Sequence, residues 1–130
     1  MIELRPAAET DLAQLTALWQ EHRMILSLVD QRFRRTAGGD VRWMNTVRDK
    51  NRGSDSYFCV ADAGSSVVGY GLGTVRRLPH TQAGVIEELV LDAHRYYGGL
   101  GRRLAVALRA WFEEQGGRND LCACSALDGG

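Results

Sequence analysis

Apolar and polar positions change their period along the chain, and the changes mark its elements. Ile2-Glu3-Leu4-Arg5 alternates apolar with polar and is closed by Pro6, the pattern of a short strand. Glu9-Thr10-Asp11 then offers an N-cap and acidic first-turn residues. Leu12, Leu15, Leu18, Trp19 and His22 follow at helical spacing, which predicts a helix with one apolar face. Apolar content continues through Ile25, Leu26, Leu28, Val29 and Phe33 to a polar break at Thr36-Ala37-Gly38-Gly39. Asp40 is placed to cap a second helix, with Val41, Met44 and Val47 on one face and Arg42, Arg48 and Lys50 in water. Residues 51–56 read as a loop.

Beyond the loop the period falls to two. Tyr57–Ala61 and Val67–Val75 predict a hairpin around the turn 62–66, and glycines in its second strand mark crowding or a bulge. Gly84–Leu91 predicts a third strand, apolar except for Glu87 and Glu88. A glycine-rich turn leads into a helix whose core face is Leu100, Leu104, Ala107, Leu108 and Trp111, ended by Gly116-Gly117. Leu121–Ala126 predicts a last strand. The order is β-α-α-β-β-β-α-β, an α/β arrangement in a single domain over residues 1–130.

Composition narrows the class of protein. At 130 residues the chain makes one domain, and 45% hydrophobic content excludes intrinsic disorder. Sixteen basic residues balance sixteen acidic ones, so no whole-chain field draws it to nucleic acid or an anionic membrane. No apolar run approaches the ~20 residues of a membrane span, and the first residues carry no signal-peptide pattern. The expectation is a cytoplasmic protein. Cys59, Cys122 and Cys124 lack disulfide or zinc spacing and read as buried reduced thiols, with no metal site. His22, His80 and His94 read as structural or solvated, Trp19, Trp43 and Trp111 as packing residues, and Arg32-Phe33-Arg34-Arg35 as a solvated run.

Candidate chemistry concentrates in the third strand, the turn His94–Gly101 and the helix after it. A helix start leaves about four backbone N–H groups unpaired at the positive end of the macrodipole. Glycines let an anion approach those groups, so the turn is a phosphate cradle with Arg102 and Arg103 at its rim. A P-loop would need Lys after Gly101, and a dinucleotide fingerprint would need Gly at Leu104; neither is present.

The remaining pattern, Ile86–Asp92 followed by Gly99-Leu100-Gly101-Arg102-Arg103-Leu104, resembles the acetyl-CoA-binding motif of the GCN5-related N-acetyltransferases, as does the order of elements. The motif's Gln/Arg position falls on Tyr96, with Arg95 one place earlier. The resemblance implies that Leu89, Val90 and Leu91 hold the pantetheine arm of acetyl-CoA through their strand, and that amides from Tyr97, Gly98, Gly99, Leu100, Gly101 and Arg102 hold the pyrophosphate. It implies an acetyltransferase in which a primary amine attacks directly and Glu87 removes the amine's proton. Strand alternation sends Glu88 to the opposite face, and either carboxylate also reads as a rim residue paired to arginine. The family fold ordinarily continues with a further helix and two strands, so the resemblance implies a minimal or C-terminally truncated version, and an exposed last-strand edge leads to the expectation of a homodimer or strand exchange. The alternatives are a non-catalytic CoA-binding or regulatory module, and an interaction protein that keeps the fold without a ligand.

Overall fold

Period-two runs and one parallel return build a five-stranded sheet in the computed structural model, which describes residues 2–29, 39–53, 55–95, 97–115 and 121–123. The elements are β1 (Glu3–Pro6), α1 (Leu12–Val29), α2 (Gly39–Arg52), β2 (Ser56–Asp62), β3 (Val67–Arg77), β4 (Gln82–Leu91), α3 (Leu100–Glu114) and β5 (Leu121–Ala123). Strands lie in chain order, antiparallel from β1 to β4, and β5 joins β4 in parallel. This is the expected mixed, largely antiparallel α/β sheet flanked by helices. Of the last predicted strand, residues 121–123 are seen, and Cys124–Ala126 fall outside the described residues.

Alternation sorts each strand's side chains onto two cores. Phe58, Val60, Tyr70, Leu72 and Val90 face α1 and α2, where Leu12, Leu15, Leu18, Trp43 and Val47 meet them. Cys59, Ala61, Val68 and Val75 face α3, against Leu100, Leu104, Leu108 and Phe112. The sheet glycines lie where α3 comes closest. A Cβ on Gly73 would stand 2.7 Å from Phe112 Cζ, and one on Gly84 would enter the same ring. Their role is to let an aromatic ring rest on the strand backbone.

Local differences from the sequence expectations have physical causes. Asp11 does not cap α1. It lies in a 3-10 turn, accepts the Ala8 N–H at 2.7 Å and holds both Nη atoms of Arg5 at 2.8 and 2.9 Å. Arg5 Nε also reaches Asp62 at 3.1 Å, so this guanidinium joins β1, β2 and the start of α1 through the buried Asp11 and through Asp62. In α2, Gly39 opens the helix, Trp43 and Val47 turn inward, and Val41 is exposed. Lys50 is not in water but turned toward β4. The run Arg32–Arg35 falls outside the described residues. No described helix is long and apolar enough to cross a membrane.

Candidate active site

The register of β3 against β4 breaks once. Leu72 pairs with Glu88 and Gly73 with Ile86, so Glu87 is an extra residue in β4, a β-bulge. Among the described residues β5 pairs only with Gly84, Val85 and Ile86, so pairing on that side stops where the bulge begins. Further along β4, Asp92 N–H donates to Val68 O at 2.9 Å. By antiparallel alternation the peptide groups of Val90 and Glu88 also face β3, which leaves those of Leu89 and Leu91 facing the other edge. Among the described residues nothing pairs with Leu89 and Leu91 on that side, a stretch of strand edge to which an extended polar arm can add. Val90, grouped with them in the sequence, stands apart: its side chain is buried and its backbone faces β3.

That edge leads into the turn before α3. Gly99 is the helix N-cap in the left-handed region, φ 75°, which favours glycine. A Cβ built there would meet nothing within 4 Å, so the space over the turn is open. Leu100 N–H donates to Tyr97 O at 3.1 Å and Arg103 N–H to Gly99 O at 3.0 Å. The first-turn amides of Gly101 and Arg102 have no backbone acceptor among the described residues. Leu91, Asp92, Arg95, Tyr97 and Gly99 through Gly101 line a cleft of about 280 Å³. Gly98 and Arg102 are exposed beside it, and Arg95 and Tyr97 line the same cleft. Free amides, the helix's positive end and a guanidinium together suit a pyrophosphate. Tyr96 falls outside the described residues.

The bulge also corrects the reading of the two carboxylates. An extra residue cancels the alternation, so Glu87 and Glu88 both point toward α2 instead of to opposite faces. Glu87 accepts from Lys50 Nζ at 2.9 Å and from the Thr74 hydroxyl. Thr74 Oγ1 in turn lies 3.2 Å from Ser56 Oγ. Burial pushes the Glu87 carboxyl up, but Thr74, Lys50 and the charge of Arg76 outweigh it and hold its pKa below the usual carboxylate value. Glu88 accepts from Tyr70 Oη at 2.7 Å and from Trp43 Nε1 at 3.2 and 3.3 Å. Burial dominates there and raises its pKa, despite those two donors. Trp43 stacks on Trp19 with centroids 5.1 Å apart, which fixes the indole that holds Glu88.

The pattern of the sequence indicated none of Lys50, Thr74 and Tyr70 as part of the site. The legible signal was the Glu-Glu pair itself, polar in an otherwise apolar strand. Of the histidines, His22 is half-buried with its pKa lowered by burial, and His80 is exposed. His94 Nε2 lies 2.7 Å from Glu21 Oε2. Cys59 is a buried free thiol whose pKa is pushed up by burial.

No protein-family model matches the sequence, and no curated protein matches it. Solved structures do. A predicted acetyltransferase from Clostridium acetobutylicum, solved with acetyl-CoA, superposes with a TM-score of 0.78 at 14% identity, over 97% of this chain and 82% of that one. Glucosamine-6-phosphate N-acetyltransferase from Arabidopsis thaliana gives 0.72 at 16% identity, over 98% of this chain and 84% of that one. A transcriptional regulator from Bacillus halodurans gives 0.74 at 19% identity, over 97% and 83%. The fold is that of the GCN5-related N-acetyltransferases, as the strand, glycine turn and helix implied.

Proposed function

We propose that this chain binds acetyl-CoA and moves its acetyl group to a primary amine. The observation that carries this reading is the edge of β4 at Leu89 and Leu91, unpaired among the described residues, running from the bulge at Glu87 to the amides of Gly101 and Arg102, which meet no backbone acceptor among those residues. Acetyl-CoA supplies a thioester, an acyl group already activated toward an amine. What the protein adds is position and a proton acceptor. The edge of β4 and the turn at Gly99 would hold the co-substrate's arm and pyrophosphate. Glu87 meets an amine in this structure already, through Lys50, so it is the carboxylate suited to hold an acceptor's ammonium and take its proton. An alkylammonium with a pKa of ~10.4 must lose that proton before it can attack. Glu88 is a positioning residue in this reading, because Tyr70 and Trp43 already engage both its oxygens.

The acceptor's structure is left open by the fold, since one scaffold serves many acceptors. The test is a calorimetric titration of the chain with acetyl-CoA beside desulfo-CoA and ATP. Binding confined to the CoA compounds supports the reading, and a folded chain that binds none of them overturns it. The likeness to a transcriptional regulator favours a second reading, a CoA-binding module without turnover. A screen of amine acceptors that detects released thiol separates the two.

A further inference from the structure

The chain contains one lysine, Lys50, among sixteen basic residues. The fold carries that one ε-amine from the last turn of α2 to the bulge of β4, where Nζ lies 2.9 Å from Glu87 Oε2 and 3.4 Å from Thr74 Oγ1. It is about a quarter exposed, 27%, so it is held but reachable. Glu87 lies four residues from Leu91, roughly 14 Å along β4 at about 3.4 Å per residue. This is the end of the open edge away from the α3 turn, where an acyl group carried on an arm along that edge arrives. Every other basic side chain near the cleft is an arginine, which does not become a neutral nucleophile at ordinary pH.

We infer that Lys50 is an acceptor within the chain itself, a self-acetylation site served by Glu87. The inference rests on the acetyl-CoA reading above. The Lys50 ammonium gives one proton to the Glu87 carboxylate, and Nζ then forms a bond to the thioester carbonyl carbon. The carbon–sulfur bond breaks, the second nitrogen proton goes to the leaving thiolate, and Glu87 passes its proton to water. No electrons are exchanged, and the products are acetyl-lysine and free CoA. The mark removes a cation from Glu87. Lys50 and Thr74 contact that carboxyl, Arg76 acts on it from β3, and Glu88 lies beside it in β4. Losing Lys50's charge leaves burial less opposed, so Glu87 becomes the stronger base. Self-acetylation therefore readies the site for an external amine.

The test incubates the full chain with acetyl-CoA and maps acetylated peptides by mass spectrometry, with calorimetry run on the same preparation. The expected result is one acetyl group on Lys50, none in Lys50→Arg, and a rate lower by about tenfold or more in Glu87→Gln. Acetyl phosphate at equal concentration should mark Lys50 far more slowly. Independently of turnover, carbon-13 NMR of Lys50→Gln, which imitates the marked residue, should show Glu87 titrating higher than in the parent chain. Unmarked Lys50 in a chain that binds acetyl-CoA overturns the inference and leaves the cofactor reading intact. Equal marking by acetyl phosphate, or an unmoved Glu87 titration, also overturns it. A chain that binds no acetyl-CoA overturns both readings together.

Discussion

Glu87 and Glu88 are the same side chain in adjacent positions, and their partners separate them. Lys50, Thr74 and Arg76 keep Glu87 ionised against its burial, whereas Glu88 faces an aromatic wall and is pushed the other way. Glu87→Gln keeps the shape and removes the proton acceptor. Turnover should fall by about a hundredfold or more while acetyl-CoA affinity by calorimetry stays within error. The two carboxylates also act oppositely on folding. Glu87, with its pKa lowered, contributes stability that is lost as pH falls below its ordinary value of 4.5. Glu88, with its pKa raised, makes stability decline as pH rises from 4.5 through its folded value. Glu88→Gln should abolish that decline in urea melts taken across the window. At Gly99 the left-handed φ and the open space above it favour glycine and a bound anion. Gly99→Glu adds backbone strain of about 1–2 kcal/mol and a negative charge over the cradle. It should abolish acetyl-CoA binding in the titration while circular dichroism still reports a folded chain.

At the scale of elements, the ring of Phe112 sets how closely α3 can approach the sheet. Phe112 lies on backbone that Gly73 and Gly84 leave bare. Gly84→Val should push this helix outward and cost about 1–3 kcal/mol in urea unfolding, with a weaker acetyl-CoA titration in the surviving folded protein. The helices and strands were legible because their periodicities are strong and their boundaries carry glycine and proline. The bulge was not legible. Residues 86–91 read as an uninterrupted strand, and the sequence contains no mark of which of the two glutamates is the additional one. Only the pairing of Leu72 with Glu88 and of Gly73 with Ile86 locates it.

Over the whole molecule, the ion pairs that hold β1, β2 and α1 together converge on Arg5. Its bonds lower the pKa of Asp11 against the burial that would raise it, and together with the Gly64 amide they lower that of Asp62. Both groups have folded values below their ordinary 3.8, so their stabilisation is complete above that pH and is lost as pH falls through the folded values. Urea midpoints should therefore drop steeply in acid below about pH 4. Asp11→Asn, which breaks a charged hydrogen-bond pair in a buried position, should cost about 2 kcal/mol at neutral pH and flatten that acid limb.

Local pattern by itself determined the elements, their order, the apolar stripes that would face a core, and the glycine turn that opens α3. These follow from period, capping chemistry and backbone freedom, which act over a few residues. It also marked the pair Glu87-Glu88, because carboxylates in an apolar strand have few reasons to be there, while the choice of Glu87 between them came from the family resemblance. Tertiary structure decided what each group meets. The bulge turned Glu88 onto the face of Glu87, the described part of β5 paired with β4 only as far as Ile86, and α2 brought Lys50 across 37 positions of sequence to the same carboxylate. Contacts of that range depend on strand register and helix placement, and register is fixed by the summed packing of two cores rather than by any residue's own neighbours in sequence.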